Sequence, residues 1–459
     1  MRQVTGELFG IVGRRRGTGT EVLLLRGPGG WSLPRLHHRD PPAAHAEIAG
    51  RFGLTVTTRD CLEQRDTQAG ATARYYVHEV HTDPAASGAA PHGAAATPHG
   101  PAESRWFGAA GLAGADLDPD QRRVLERWFA DATATAPASG RETGGGLPWT
   151  REGWYATAAA WADEQLRRAG NTPVGAPEQP FLRVWSFQLR IPVAHGAAYF
   201  KASPPVFGHE AEVTRLLSDR FPDSIPRVLA IDAQRHWMLT DDFGPVHRPA
   251  SAEAVEGYAR MVPQLATIQR FTEGHARALG AAGCPDHRTA RLPELLAELI
   301  EDNERLESAE RHRLADYVPH FRDLCAELES AGVPDSLVHL DIWRGNFTDR
   351  DTGPLLFDWA ESVLGHPFIS LDVALRDLRS AAPGDESAVR RVTDAYLRQW
   401  SGIAPMERLV RAARLAATAG IVSRALLWQD ALKGLDPERA RPYAGTVAAQ
   451  LRELPLGSG

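Results

Sequence analysis

Val338-His339-Leu340-Asp341-Ile342-Trp343-Arg344-Gly345-Asn346 is the stretch on which the reading of this chain turns. It sets a carboxylate, Asp341, five positions before an amide, Asn346. Asp341 can take the proton of a hydroxyl as that hydroxyl attacks. The amide oxygen of Asn346 can hold a hard divalent cation. Downstream, Phe347-Thr348 and Leu355-Leu356-Phe357-Asp358 flank a turn over residues 349–354. A hairpin there returns Asp358 to the neighbourhood of Asn346. A carboxylate and an amide oxygen suit magnesium, which fills its remaining positions with phosphate oxygens and water. His339 reads as structural, ordering the loop by hydrogen bonds rather than acting as the base.

The Asp341-to-Asn346 spacing is that of the catalytic loop in kinase-type phosphoryl transfer, and upstream residues agree with it. Only two of the 51 basic residues are lysines, Lys201 and Lys433. In a chain that otherwise uses arginine, a retained lysine marks a place where a compact point charge is needed. Lys201 ends the strand-like run Ala197-Ala198-Tyr199-Phe200-Lys201, where it can pair with donor phosphates. A helix beginning near Gly208 offers Glu210 or Glu212 to position that lysine. Helical projection favours Glu210 slightly. Trp237 to Gly244 joins two lobes, and backbone groups around Leu239 and Asp241 are expected to hold an adenine ring. No Gly-x-Gly-x-x-Gly loop is present, so the turn at Ala194-His195-Gly196 is the candidate cover for the phosphates.

Bulk properties narrow the function class. A net charge of −7 lacks the basic footprint of a nucleic-acid binder. The three cysteines are scattered, without metal or disulfide spacing, which predicts a reducing cytoplasm. No apolar run reaches the length of a membrane span, and no signal peptide is seen. At 459 residues, two or three domains are expected.

The expected organisation is a domain over residues 1–131 with a disordered Ala/Pro/Gly/His loop at about 82–103, then a linker over 132–148. A small β lobe over 149–244 and a helical lobe over 245–459 follow. The first domain opens with strand-like runs at 4–12 and 21–25, followed by a short helix near 43–52 ending at Gly53. Later segments read as a helix at 154–168, strands at 182–191, 197–202, 227–231 and 237–240, and a helix at 208–220. Beyond Gly244 the pattern is mostly helical, broken by a hairpin near 345–359.

At these residues the chain resembles the aminoglycoside phosphotransferase and choline kinase-like family, over roughly Trp149 to Leu454. The matching motifs are His339-Leu340-Asp341 with Asn346, Asp358-Trp359, Gly365-His366-Pro367 and Leu371-Asp372. The resemblance implies an α+β, protein-kinase-like two-lobe fold. It implies Asp341 as catalytic base, Asn346 and Asp358 as magnesium ligands, and Lys201 with Glu210 as the phosphate-positioning pair. Asp372 is implied as support for the helical lobe. ATP or GTP with Mg2+ would be the donor, and a small molecule bearing a hydroxyl the acceptor. Leu340 departs from the glycine more usual after the catalytic histidine. The acidic run Glu294, Glu298, Glu301, Asp302, Glu304 and Glu307 reads as a solvated helix face.

Residues 1–131 resemble a Nudix-like α/β domain through Trp31-Ser32-Leu33-Pro34, Arg51-Phe52-Gly53-Leu54 and the closing Glu103 to Phe107. Its metal-binding box is degenerate: only Glu47 keeps a ligand position, while Gly50 and Arg51 replace two carboxylates. Nudix-type hydrolysis is therefore not expected. The competing reading for the whole chain is a non-catalytic nucleotide-binding regulatory protein, against which the complete set of base, metal and lysine positions stands.

Overall fold

The computed structural model describes residues 6–17, 19–64, 73–82, 103–133, 146–246 and 248–456. The expected loop at about 82–103, apart from its two end residues, and most of the expected linker at 132–148 lie outside them. The chain divides into two compact units, Met1–His195 and Gly196–Gly459. The division falls inside the segment read as the small β lobe.

Unit one is built on a mixed sheet. Its elements are β1 (Glu7–Arg16), β2 (Gly19–Gly27), β3 (Gly30–Ser32), α1 (Pro41–Phe52), β4 (Thr55–Gln64), β5 (Ala73–Thr82), β6 (Ser104–Gly108), α2 (Ala109–Leu112), α3 (Pro119–Thr133), α4 (Trp154–Arg168) and β7 (Phe187–Val193). Strand order is β3-β2-β1-β5-β4, with β6 also on β2. Only the β1–β5 pairing is parallel within this sheet. The run Val22-Leu23-Leu24 is buried throughout because the sheet is covered on both faces. Val22 and Leu24 pack with Leu125, Trp128 and Phe129 of α3. Leu23 packs on the other face with Ile48 of α1. Gly13 permits the first contact, since a Cβ there would sit 2.7 Å from the Trp128 ring.

Helix α1 begins at Pro41, two residues before the expected start, because Asp40 caps it and prolines suit a first turn. Gly53 ends it in the left-handed conformation, as expected. The strand expected from Leu182 starts only at Phe187, where strict buried–half-buried alternation begins.

Unit two opens with β8 (Gly196–Ala202), α5 (Glu210–Arg220), β9 (Val228–Asp232) and β10 (Trp237–Asp241). Here β10 lies between β8 and β9, antiparallel to both. The helical body follows with α6 (Ser251–Thr272), α7 (Ala276–Ala281), β11 (Asp286–His287), α8 (Leu292–Asp302) and α9 (Ser308–Ser330). It continues through β12 (Ser336–His339), the hairpin β13 (Phe347–Arg350) and β14 (Gly353–Leu356), and β15 (Ser362–Gly365). Helices α10 (Phe368–Ala381), α11 (Glu386–Leu397) and α12 (Met406–Lys433) complete the core.

The hairpin near 345–359 is present. The sheet β11-β15-β12 is an addition to the expected helical pattern. Its strands are short, and β12 and β15 are buried at every position, so they carry no alternation by which to recognise them. On α8, Leu292, Leu296, Leu299 and Ile300 face the core. Glu294, Glu298, Glu301 and Asp302 are exposed, as a solvated face requires.

Candidate active site

Alternation along β8 sends Ala198, Phe200 and Ala202 into the core and leaves Tyr199 and Lys201 on the other face. The Lys201 ammonium lies 2.6 Å from Glu210 Oε1 and 2.6 Å from Asp358 Oδ1. Glu210 stands in the first turn of α5, buried, and its second oxygen accepts a hydrogen bond from the Ser203 hydroxyl at 2.8 Å. Glu212 instead pairs with Arg215. Of the two glutamates, Glu210 is therefore the lysine's partner. Burial alone would lower the Lys201 pKa, but the Asp358 and Glu210 carboxylates raise it above its ordinary value. For Asp358, the same lysine overcomes burial and holds the carboxyl below its usual range. Lys201 is thus a fixed cation. A buried pair adds little net stability, and its value lies in fixing a charge at one place.

The Asp341–Asn346 loop leaves a buried strand, β12. His339 pairs with Ser362 of β15 in register, and its backbone N–H donates to Ser370 Oγ at 2.8 Å. The imidazole bridges two segments. Nδ1 accepts from the Asp341 N–H at 3.2 Å, and Nε2 lies 3.3 Å from the Phe357 carbonyl. Those partners require the tautomer protonated on Nε2. Burial lowers this histidine to about 4, so it is neutral and acts as a strut.

Asn346 donates from Nδ2 to both the backbone oxygen and Oδ2 of Asp341, each at 2.8 Å. These bonds aim the loop inward and do not use the Asn346 amide oxygen. The Phe357 N–H donates to the Asn346 carbonyl at 3.0 Å, which brings Asp358 alongside. Asp358 has φ 63° and ψ 60°, a left-handed conformation that aspartate tolerates better than most residues. Backbone strain of this kind persists where surrounding structure over-determines it.

Burial first, and then the Asp358 charge, push Asp341 up to about 7. Glu361 rises to about 8 through burial and the charges of Asp341 and Asp358. Three acidic groups therefore share one field, which a bound cation would relieve. Among the described residues no three His, Cys, Asp or Glu side chains form a ready metal cage. Asn346 and Asp358 fit a cation that brings phosphate and water as its other ligands.

A second brace holds the loop from behind. Asp377 of α10 accepts from the Arg344 backbone N–H and from its guanidinium, at 2.8 Å to Nε, and from Tyr258 Oη at 2.6 Å. Asp377→Ala is expected to destabilise the protein by about 2 kcal/mol, the scale for charged hydrogen bonds, and to lower turnover by loosening the loop. Urea unfolding and initial rates check both effects. Gly345 is constrained too: a Cβ there would stand 2.4 Å from the Trp343 ring.

The remaining expected residues are placed as follows. Leu239 pairs with Phe200 and is fully buried on the face opposite Lys201, so only its backbone can serve a ligand. Asp241 accepts from Arg227 at 2.7 Å, at the surface. His195 is exposed. Gly196 has φ 97°, and a Cβ there would come within 2.9 Å of Asp242 Oδ2. Asp242 also accepts from the Ala197 and Gly244 N–H groups, pinning the turn to the segment after β10. Asp372 pairs with Arg376 within α10 at 2.8 Å, while direct support of the loop comes from Ser370 and Asp377. Ser370 and Asp377 carry no local sequence signal because their partners lie more than thirty positions away, and Ser203 and Glu361, though near Glu210 and Asp358, stand in no pattern that marks them.

Residues 200–409 match the model of the phosphotransferase enzyme family. The match contains Lys201, Glu210, Asp341, Asn346 and Asp358 and leaves residues 1–131 outside. Several solved structures are similar to the chain. A macrolide 2'-phosphotransferase type I shares 16% identity, with 64% of this chain and 96% of that chain covered and a TM-score of 0.43. A choline/ethanolamine kinase family protein from Mesorhizobium loti shares 17%, over 61% and 88%, with a TM-score of 0.43. A choline kinase from Streptococcus pneumoniae shares 14%, over 64% and 98%, with a TM-score of 0.43. The chain matches no curated protein. These findings do not support the Nudix resemblance of residues 1–131. Among the described residues no helix is long and apolar enough to cross a membrane.

Proposed function

Taking residues 200–409 as a phosphotransferase-family segment and the chain as a small-molecule kinase, we propose that it moves the γ-phosphoryl group of ATP or GTP onto a hydroxyl of a small molecule. The observation that carries this reading is the meeting, in one site, of Lys201, Glu210 and Asp358 with the Asp341–Asn346 loop. Lys201 binds donor phosphates and is itself held by Glu210. Asn346 and Asp358 would hold Mg2+, which neutralises charge on the phosphates when bound.

Asp341 accepts the proton of the acceptor hydroxyl. The hydroxyl oxygen then bonds to the γ-phosphorus, and the bond to the β–γ bridging oxygen breaks, releasing nucleoside diphosphate. Burial raises the Asp341 carboxylate above its usual range, which suits it to take up a proton. The proposed setting is cytoplasmic, with no nucleic-acid or membrane partner.

For unit one we propose a non-hydrolytic role, whether or not its fold is Nudix-like. Glu47, the one carboxylate retained in the box, is held by Arg51 Nη1 at 2.9 Å and by the His37 ring at 3.0 Å. The test is a panel of amino alcohols, sugars, nucleosides and hydroxylated antibiotics, each incubated with Mg2+ and ATP or GTP and followed by mass spectrometry. A phosphorylated product is expected for at least one class. Nucleotide binding without transfer to any acceptor would favour the regulatory reading.

A further inference from the structure

Tyr199, Phe243 and Phe357 form a stack of three rings in unit two. Phe243 is the middle ring, 4.5 Å from Tyr199 at an interplanar angle of 29° and 4.6 Å from Phe357 at 25°. The two outer rings sit at fixed places. Tyr199 precedes Lys201 by two residues on the same face of β8, about 7 Å away along the strand. Phe357 adjoins Asp358 and is tied through its N–H to Asn346. The stack therefore lies beside the Lys201–Asp358 pair, separated from it by one strand repeat.

The middle ring is held differently. It belongs to the segment after β10, whose described residues are neither helix nor strand before α6 begins at Ser251. Gly244 follows it at φ 81°, a conformation that lets the backbone pivot there. Two near-parallel aromatic walls, spaced to hold one flat ring between them, also suit a purine or pyrimidine, since every base presents a π-face for stacking. Here a side chain of the protein fills that space.

We propose that Phe243 is a resident plug in the nucleobase slot. The base of the donor enters between Tyr199 and Phe357 by displacing the Phe243 ring, and the segment after β10 moves with it. This inference rests on the nucleotide-dependent reading given above. Displacement subtracts the stacking of Phe243 from the affinity the base would otherwise gain, so the plug tunes donor affinity. Stacking tolerates any base, so the walls do not choose between adenine and guanine, and that choice falls to the backbone edge at the end of β10.

The test uses the full chain, Phe243→Ala, and three probes: Mg-ADP, Mg-GDP and Mg-tripolyphosphate, the last having no base. Removing the plug should tighten both nucleotides by roughly five- to a hundred-and-fiftyfold, the scale of two aromatic stacks, and leave tripolyphosphate unchanged. Weaker nucleotide binding in this variant would overturn the proposal, because Phe243 would then be a wall of the slot. Phe243→Trp retains the bulk should the alanine variant fold poorly. Its indole emission should shift to the red with Mg-ADP and stay constant with tripolyphosphate, and no shift at saturating Mg-ADP would also overturn the plug. A failure of the nucleotide reading looks different: neither wild type nor variant would then bind either nucleotide.

Discussion

Asp341→Asn is expected to lower kcat by about two to four orders of magnitude, the usual contribution of a positioned general base, while fold and nucleotide affinity survive. Asparagine is the informative substitution. Its carbonyl can still accept the Asn346 amide at the position of Asp341 Oδ2, and its backbone keeps the bond to His339 Nδ1. The change therefore removes basicity and leaves the loop assembled. Relief of charge beside Asp358 and Glu361 would offset part of any structural loss, since both carboxylates share the field of Asp341. Stopped-assay rates with an accepted hydroxyl substrate, together with nucleotide titration of the same preparation, separate the two quantities. Full turnover in the variant would remove Asp341 from the role of base. Loss of nucleotide binding alongside activity would mean instead that the carboxylate holds the metal.

What the sequence made legible here depended on how local each determinant was. Asp341 and Asn346 lie within one loop, and Asp358 follows in an apolar hairpin, so chain spacing alone brought them together. Lys201 was visible through composition, since arginine serves almost everywhere else and Lys433 is an exposed residue with Asp302 at 3.6 Å. Choosing Glu210 over Glu212 needed the structure: two positions apart, they leave the helix on nearly opposite sides, and the apolar stripe alone favours Glu210 only slightly as the one on the side of Lys201. Ser370 and Asp377 were invisible for a different reason: each reaches the loop across more than thirty positions in the chain, a distance over which no periodicity carries information. The buried strands β12 and β15 escaped because burial on every side erases alternation. Asp241 and Asp242 are indistinguishable by local pattern, and it is Asp242 that grips the Gly196 turn.

Unit one should lose stability steeply as pH falls below about 6.5, the ordinary histidine value. Three of its histidines, His45, His78 and His81, sit around β4 and β5. The His45 and His78 rings meet at Thr58 Oγ1, at 2.8 and 3.1 Å, and His81 Nε2 lies 2.6 Å from Thr57 Oγ1. Burial lowers His45 to about 4, His78 to about 3 and His81 to about 4. Their folded-state values are thus depressed, so between about 6.5 and 4 the unfolded chain binds more protons. Stability then rises with pH across that window, and the contribution is complete above 6.5.

A pH of 5 lies about 1.5 units below the unfolded value of each group, which costs about 2 kcal/mol apiece at 1.36 kcal/mol per unit. Together that is about 6 kcal/mol, comparable with the whole stability of an ordinary domain. Glu79 opposes the trend, since burial raises it above the usual carboxylate range, but it is one group against three. Hydrogen exchange along β4 and β5 in the full chain, corrected for the intrinsic pH dependence, should show protection lost between pH 6.5 and 5. His78→Asn, which leaves two buried imidazoles, should make that loss shallower by about one proton. Protection independent of pH over this range would mean that these imidazoles are already charged in the folded protein, with Glu79 or solvent compensating them.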